Sequence, residues 1–90
     1  MKRVHIIISG RVQGVFFRYN TKKIANELGL GGFVRNLPDG TVEIVAEGEE
    51  EKINKLIDFC KIGPRAAEVI GIKIEYEEPR NEFSNFEIGY

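Results

Sequence analysis

The stretch "GFVRNLPDGTVEIVAEG", residues 32–48, decides the fold. Its centre, "LPDG", has the composition of a tight turn, because Pro38 suits an early turn position and Gly40 suits a position with positive φ. From Val42 to Ala46 every second residue is apolar, which predicts a strand with one inward face. The stretch therefore predicts two strands joined by a turn.

Upstream of these strands, the sequence predicts another strand and a helix. "RVHIIISG", residues 3–10, is rich in β-branched residues, as strands are. The helix after it would end at Gly31 or Gly32, since glycine favours helix C-termini. The buried face of the strand would consist of Val4, Ile6 and Ile8. The apolar stripe of the helix would consist of Ile24, Ala25 and Leu28.

Downstream, the sequence predicts a second helix and two further strands. Residues 49–62 carry apolar side chains at positions i, i+3, i+4 and i+7, which predicts an amphipathic helix that ends at Gly63 and Pro64. "AEVIGIKIEYEE", residues 67–78, predicts a long strand, and "FSNFEIGY", residues 83–90, a short final one. The helix stripe would consist of Ile53, Leu56, Ile57 and Cys60. One face of the long strand would consist of Ile70, Ile72, Ile74 and Tyr76.

The order of these elements is βαββαβ with a short fifth strand added. This is the pattern of an α+β, ferredoxin-like split βαβ sandwich, in which two helices cover one face of an antiparallel sheet. A chain of 90 residues suffices for a single core, so we expect one domain over residues 1–90. Many unrelated functions share such a fold, so function must be argued from particular residues.

The composition excludes several kinds of site and favours a small anionic ligand. The net charge of −1 argues against a general polyanion binder, yet residues 1–36 hold seven cations and one acid. Cys60 alone cannot form a disulfide or a cysteine-based zinc site, and His5 alone cannot form a histidine-rich site. We expect Cys60 to lie in the core, and His5 to be an ordinary strand residue whose neighbours supply no acid/base partner. Without a membrane-spanning run or a signal peptide, the sequence predicts a cytoplasmic protein.

The stretch "GRVQGVFFRYNTKK", residues 10–23, contains an electrostatic anomaly. Arg18, Lys22 and Lys23 lie near the start of the first helix, where the positive helix end makes each cation unfavourable by about 0.3–1 kcal/mol. Glycines in the preceding loop would let the amides of residues 13–18 converge on one anion, and Arg18 could hold two phosphate oxygens. We therefore hypothesise a phosphate-type anion site.

Simpler interpretations of this stretch stay open. Gly14 could serve only to make a turn, and Arg18 could be a solvated surface residue. Asn20 could also cap a helix that starts at Thr21, which would leave Arg18 outside the helix. A short loop with glycines is not specific enough to choose between these possibilities.

Two segments together resemble the acylphosphatase family. "GRVQGVFFR" resembles its G-x-V-Q-G-V-x-F-R signature, and "LGLGGFVRNLPDGTVEIVAEG" resembles its G-W/F-V-R-N-x-x-D-G-x-V-E signature. "GPRAAEV" and "SNFEIGY" also fit the family pattern, so the resemblance spans almost the whole chain. The departures are minor: Phe33 stands where tryptophan is common, and Gly31 where a polar residue is often found.

The resemblance implies hydrolysis of acyl phosphates to a carboxylate and phosphate by direct attack of water. It implies that Arg18 binds the phosphate and stabilises the transition state, and that Asn36 orients the water. Taken alone, Asn36 would better suit the start of a turn than a catalytic role, and Arg35 would point to the opposite face as a solvated residue. The resemblance implies no metal and no cofactor. The implied phosphate-binding loop consists of Gln13, Gly14, Val15, Phe16, Phe17 and Arg18.

The expected ligand is a small acyl phosphate, with phosphate or sulfate as competing anions. We expect a monomer with no nucleic-acid or membrane partner, and the sequence does not identify the acyl group. Two other functions stay open. An RNA-binding domain of this fold would need aligned aromatic residues on its central strands, which the sequence does not present. An acylphosphatase-like module could also bind or channel acyl or carbamoyl phosphate for a partner protein, although the chain's end at Tyr90 favours a free-standing enzyme.

Overall fold

In the computed structural model, which describes residues 1–89, two helices cover one face of a five-stranded sheet. The elements are β1 (Lys2–Arg11), α1 (Phe17–Glu27), β2 (Gly31–Asn36), β3 (Val42–Gly48), α2 (Glu50–Ile62), β4 (Glu68–Glu77) and β5 (Phe86–Ile88). The sheet order is β4-β1-β3-β2-β5. All neighbouring strands are antiparallel except β2 and β5, which are parallel. The predicted ferredoxin-like α+β fold is confirmed, and the fifth strand makes the sheet mixed.

The core forms where the inward faces of β1 and β3 meet the helices. Cross-strand pairing places Val4 opposite Ala46, Ile6 opposite Ile44 and Ile8 opposite Val42, and all six side chains are fully buried. Burying one such aliphatic side chain stabilises the fold by roughly 1.5–3 kcal/mol. The predicted stripe of α2 is buried against them, Cys60 included. Burial raises the pKa of the Cys60 thiol to about 12.

The first helix ends earlier than predicted. The helix ends at Glu27, and Gly29 then adopts a φ of 73°. The Gly29 amide donates to the Asn26 carbonyl, and the Leu30 amide donates to the Ala25 carbonyl. These two bonds form a Schellman motif, in which a left-handed glycine satisfies the last carbonyls of a helix. The predicted stop at residues 31–32 was wrong, because that glycine pair already belongs to β2.

The predicted face of β4 is only partly buried. The pairing of β1 with β4 shifts between Ser9 and Gly10, and Ile70 is the extra residue of the resulting bulge and is 74% exposed. Tyr76 is also exposed, at the end of an edge strand. Ile72 and Ile74 pack against the core as expected. The predicted final strand reached Tyr90, which lies outside the described residues.

The face of the sheet away from the helices carries a polar cluster. His5 Nε2 lies 2.8 Å from Glu43 Oε2, and the Arg35 guanidinium donates to the other oxygen of Glu43. Burial alone would raise the pKa of Glu43, but the hydrogen bonds from His5 and Arg35 outweigh it and hold the pKa low. Arg35 does point away from Asn36, as expected. The Arg35 side chain is 43% exposed, as expected for a solvated residue, although it also pairs with Glu43. The expectation that His5 lacks a partner was wrong, because the pairing of β1 with β3 brings Glu43 close to it.

Arg3, which is buried together with Glu47, lies at the centre of an ion-pair cluster that we call the Arg3 cluster. Its Nη1 donates to Glu47 Oε2 at 3.1 Å and to Glu82 Oε1 at 2.7 Å, and its Nε donates to Glu77 Oε1 at 3.0 Å. The amide of Arg80 also donates to Glu47 Oε2 at 2.6 Å. The cluster therefore fastens the connection between β4 and β5 to the sheet.

Candidate active site

The loop between β1 and α1 ends in an unusual helix start. Phe16, the residue before α1, adopts a left-handed conformation with φ 63° and ψ 22°, which costs a bulky residue on the order of 1–3 kcal/mol. None of the described side chains caps this helix end. Asn20 instead lies inside α1 and donates to the Phe16 carbonyl through both its amide and its Nδ2. The alternative of an Asn20 cap for a helix that starts at Thr21 was therefore wrong.

The start of α1 leaves several amides free for an anion. The first helical hydrogen bond runs from the Asn20 amide to the Phe16 carbonyl, so the amides of residues 17–19 precede it and lack a helical partner. The first turn of α1 contains no acid, whereas that of α2 contains Glu50 and Glu51. The partial positive charge at this end of α1 therefore has no acidic counterpart within its own first turn.

Arg18 lies in the first turn of α1 and is half-buried. Within residues 1–89 its side chain makes no ion pair and no hydrogen bond. It lines a depression of about 280 Å³, which we call the anion depression. A free guanidinium beside free amides is chemically suited to a phosphate group. The lining consists of Val12, Gly14, Phe16, Phe17, Arg18, Tyr19 and Ile88.

Asn36 is the last residue of β2 and shares the helix-facing side of that strand with Val34. Its Oδ1 is buried and has no hydrogen-bond partner among residues 1–89. Leaving a buried carboxamide oxygen unpaired costs about 1–3 kcal/mol. This oxygen is therefore an acceptor that a water molecule or a ligand would satisfy. Asn36 does not itself line the anion depression.

The side chain of Gln13 connects the loop to the hairpin that carries Asn36. Its Nε2 donates to the carbonyl of Leu37 at 2.8 Å and to that of Thr41 at 2.9 Å. We call this pair of bonds the Gln13 bridge. The sequence predicts only a backbone role for Gln13 and not the bridge, because the partners of its side chain lie 24 and 28 residues further along the chain.

The structure brings together most of the site residues that the sequence predicted. Gly14, Phe16, Phe17 and Arg18 line the anion depression, and Val15 is buried. Ile88 completes the wall, because β5 pairs with β2 with Ile88 opposite Val34. Neither Ile88 nor Tyr19 was predicted to line this site. Ile88 was missed because a short terminal strand carries no signal of its position in the sheet.

Two kinds of feature are absent from residues 1–89. These residues contain no cluster of three His, Cys, Asp or Glu side chains placed to hold a metal ion. No helix in this part of the chain has the length and apolar character needed to cross a membrane.

The model of the acylphosphatase family matches residues 4–88. The chain belongs to the acylphosphatase family. It is 48% identical to an acylphosphatase of Methylococcus capsulatus over 88 residues, which cover 98% of this chain and 96% of the relative. Among solved structures, an acylphosphatase from Bacillus subtilis superposes with a TM-score of 0.96 at 37% identity, with full coverage of both chains.

Acylphosphatases are hydrolases, so the predicted family and enzyme class are confirmed. The family also implies the predicted substrate class, a small acyl phosphate. The same fold occurs within a longer protein, T.kodakarensis HypF, which this chain matches with a TM-score of 0.85 and 36% identity while covering 12% of that protein.

Proposed function

We propose that the chain cleaves the carboxyl–phosphate bond of acyl phosphates by direct attack of water, with the phosphate held by loop amides and Arg18. The observation that carries this proposal is Arg18 itself. Within residues 1–89 its guanidinium has no carboxylate partner, and it lies beside the uncapped start of α1 in one depression. A dianionic phosphoryl group supplies the missing charge and the missing acceptors.

Phosphate binding uses donors whose positions are already fixed. The amides of residues 13–18 and the planar fork of Arg18 donate to the non-bridging oxygens of the phosphoryl group. Phosphoryl transfer depends mostly on positioning and charge stabilisation. Donors aimed at the charge that develops in the transition state stabilise it without reorganisation.

The bond-breaking step needs no protein acid. The water oxygen forms a bond to phosphorus, and the bond from phosphorus to the acyl oxygen breaks. The electron pair leaves on a carboxylate, whose conjugate acid has a pKa of about 4. The proton of the water passes to a phosphoryl oxygen, so the step requires neither a general base nor a metal ion.

Asn36 is proposed to orient the attacking water. Its buried Oδ1 is an unpaired acceptor among the described residues, and the Gln13 bridge fastens the next residue, Leu37, to the phosphate loop. A water that donates to this oxygen is held in one orientation, which lowers the entropic part of the barrier.

Hydrolysis of acetyl phosphate in water enriched in heavy oxygen tests the proposal. Direct attack at phosphorus puts the label in inorganic phosphate, whereas attack at the carbonyl carbon would put it in acetate and overturn the mechanism. Excess chelator should leave the rate unchanged, since no metal takes part. Inorganic phosphate and sulfate should inhibit competitively, because they occupy the same donors.

The remaining expectations about the setting of the enzyme are proposals as well. We propose that residues 1–90 form one domain that acts as a cytoplasmic monomer. Size-exclusion chromatography with light scattering at working concentration tests the monomer, and a dimer mass would contradict it.

A further inference from the structure

A second depression adjoins the anion depression, and we call it the apolar depression. It has a volume of about 460 Å³ and shares Phe16 and Tyr19 with the anion depression. An acyl group is bonded to the phosphate through one oxygen, so it must lie within a few atoms of the phosphate site. The apolar depression meets the anion depression at Phe16 and Tyr19, so it is close enough to receive that group. Its lining includes Val15, Phe16, Tyr19, Pro64, Arg65 and Ala66.

Three features of Phe16 are energetically unfavourable in the protein without a ligand. Its backbone is left-handed, its side chain is 76% exposed, and it occupies a helix-cap position that short polar residues favour. Tyr19, three residues further along the helix and therefore on the same side, is 60% exposed. The other large exposed apolar residues of the described chain do not line this depression. A ligand that covers both rings would offset their exposure.

The opposite wall of the apolar depression is held against the start of α1. A Cβ added to Gly63 would lie 2.8 Å from the ring of Phe17, so the chain passes close to that buried side chain. The Ala67 amide donates to the Pro64 carbonyl at 2.9 Å and closes the turn. The turn that carries Pro64, Arg65 and Ala66 therefore lies beside Phe17, the first residue of α1.

The lining chemistry selects an apolar occupant. Among residues 1–89, the lining contains no carboxylate, and Arg65 is its one charged residue. The side-chain amide of Asn20, the remaining polar group, already donates to the Phe16 carbonyl. Ligand sites that are mostly aromatic and aliphatic favour apolar, ring-sized groups.

We propose that Phe16 and Tyr19 form the acyl subsite and make the enzyme prefer acyl phosphates with a ring-sized apolar acyl group over small ones. This inference rests on the proposed hydrolysis of acyl phosphates at Arg18. It adds specificity-determining residues to that reaction and names the substrate class.

The test is the ratio of kcat/KM for benzoyl phosphate to kcat/KM for acetyl phosphate, in which any common effect on the phosphate end cancels. The wild type should favour benzoyl phosphate. The ratio should fall about tenfold in Phe16→Gly and in Tyr19→Ala, since each removes one aromatic wall. Glycine accepts the left-handed backbone at position 16, so this variant should fold.

Conservative and remote variants separate ligand contact from a structural effect. Tyr19→Phe and Phe16→Tyr keep the rings and should keep the ratio. Tyr76→Ala removes an exposed tyrosine from β4, outside both depressions, and should also keep it. Ratios within twofold of wild type in both Phe16→Gly and Tyr19→Ala would overturn the subsite while leaving the hydrolase proposal intact. A wild type that hydrolyses neither substrate would overturn both.

Discussion

Arg3 and Arg18 are the same kind of residue in opposite surroundings. Arg3 is buried and donates to three glutamates. Arg18 is half-buried, and no carboxylate among residues 1–89 pairs with it. Burial alone would lower the pKa of Arg3, but the hydrogen bonds from its glutamates outweigh it and raise the pKa. The contrast indicates that the donors of Arg3 are satisfied within the fold, whereas those of Arg18 are left available for the ligand that we propose.

Arg3→Ala should have the largest effect, and on stability. It would leave Glu47 buried without its cationic partner, and breaking such a pair costs about 3–5 kcal/mol. Urea denaturation would measure the loss in the free energy of unfolding. The activity per folded molecule should stay near that of the wild type. A folded Arg3→Ala protein that had lost its activity would erase the distinction between the two arginines.

Arg18→Ala should show the opposite pattern. We expect kcat/KM for acetyl phosphate to fall by roughly 10²–10³, because a donor to the developing charge is lost. The free energy of unfolding should change by less than about 1 kcal/mol, since no ion pair of the described chain is broken. Lys23→Ala, which removes an exposed cation from the same helix, is the matched control and should keep most of the activity. Similar losses in both variants would mean that general positive charge, and not Arg18, attracts the substrate.

Asn36→Ala should reduce turnover more than binding. We expect kcat to fall by about 10² or more while KM changes little, because the water and not the phosphate loses its partner. Circular dichroism should confirm that the variant folds. A rise in KM at constant kcat would place Asn36 in substrate binding instead.

Gln13→Ala tests whether catalysis at Arg18 requires the loop to be fastened to the hairpin that carries Asn36. The variant loses both bonds of the Gln13 bridge, so we expect kcat to fall roughly tenfold and stability to fall by about 1–2 kcal/mol. Steady-state kinetics and urea denaturation of the same preparation would measure both. Unchanged kcat with reduced stability would limit the bridge to a structural role.

The smallest expected effect is on the pH dependence of stability, which should differ between the Arg3 and Arg18 variants. Burial would raise the pKa of Glu47, but hydrogen bonds from the Arg80 amide and from Arg3 outweigh it and hold the pKa below its usual 4.5. The native state therefore binds fewer protons, and this part of the stability is present above about pH 4.5 and is lost as pH falls through the lowered pKa. Arg3→Ala should weaken this dependence and Arg18→Ala should leave it intact, as thermal unfolding between pH 3 and 7 would measure. Equal dependence in both variants would contradict the assignment.

The sequence predicts those parts of the fold that depend on local pattern. The period of α2 and the alternation of β1 and β3 identify the core, because each follows from neighbours in the chain. The helix stop at Gly29, the bulge at Ile70 and the contact of His5 with Glu43 were missed. They depend on backbone dihedrals or on strand register, which one sequence does not encode locally.

The candidate site also has parts that the sequence predicts and parts that it does not. The charge anomaly around Arg18 located the anion depression, and the family resemblance added Asn36. Their catalytic roles stay predictions until they are measured. The Gln13 bridge and the wall at Ile88 required three-dimensional pairing, because each joins segments that are distant in the chain.

The Gln13 bridge also has a mechanical consequence. One carboxamide fastens the phosphate loop to the hairpin turn at two carbonyls, so a fluctuation of the turn carries the loop with it. The donors proposed for the phosphate and the acceptor proposed for the water should then move together, so that their separation varies less than the position of either. We expect such a site to work as a rigid template and not as a closing lid. Its catalytic geometry should therefore persist in the crystal, in dilute solution and at elevated temperature for as long as the sheet holds.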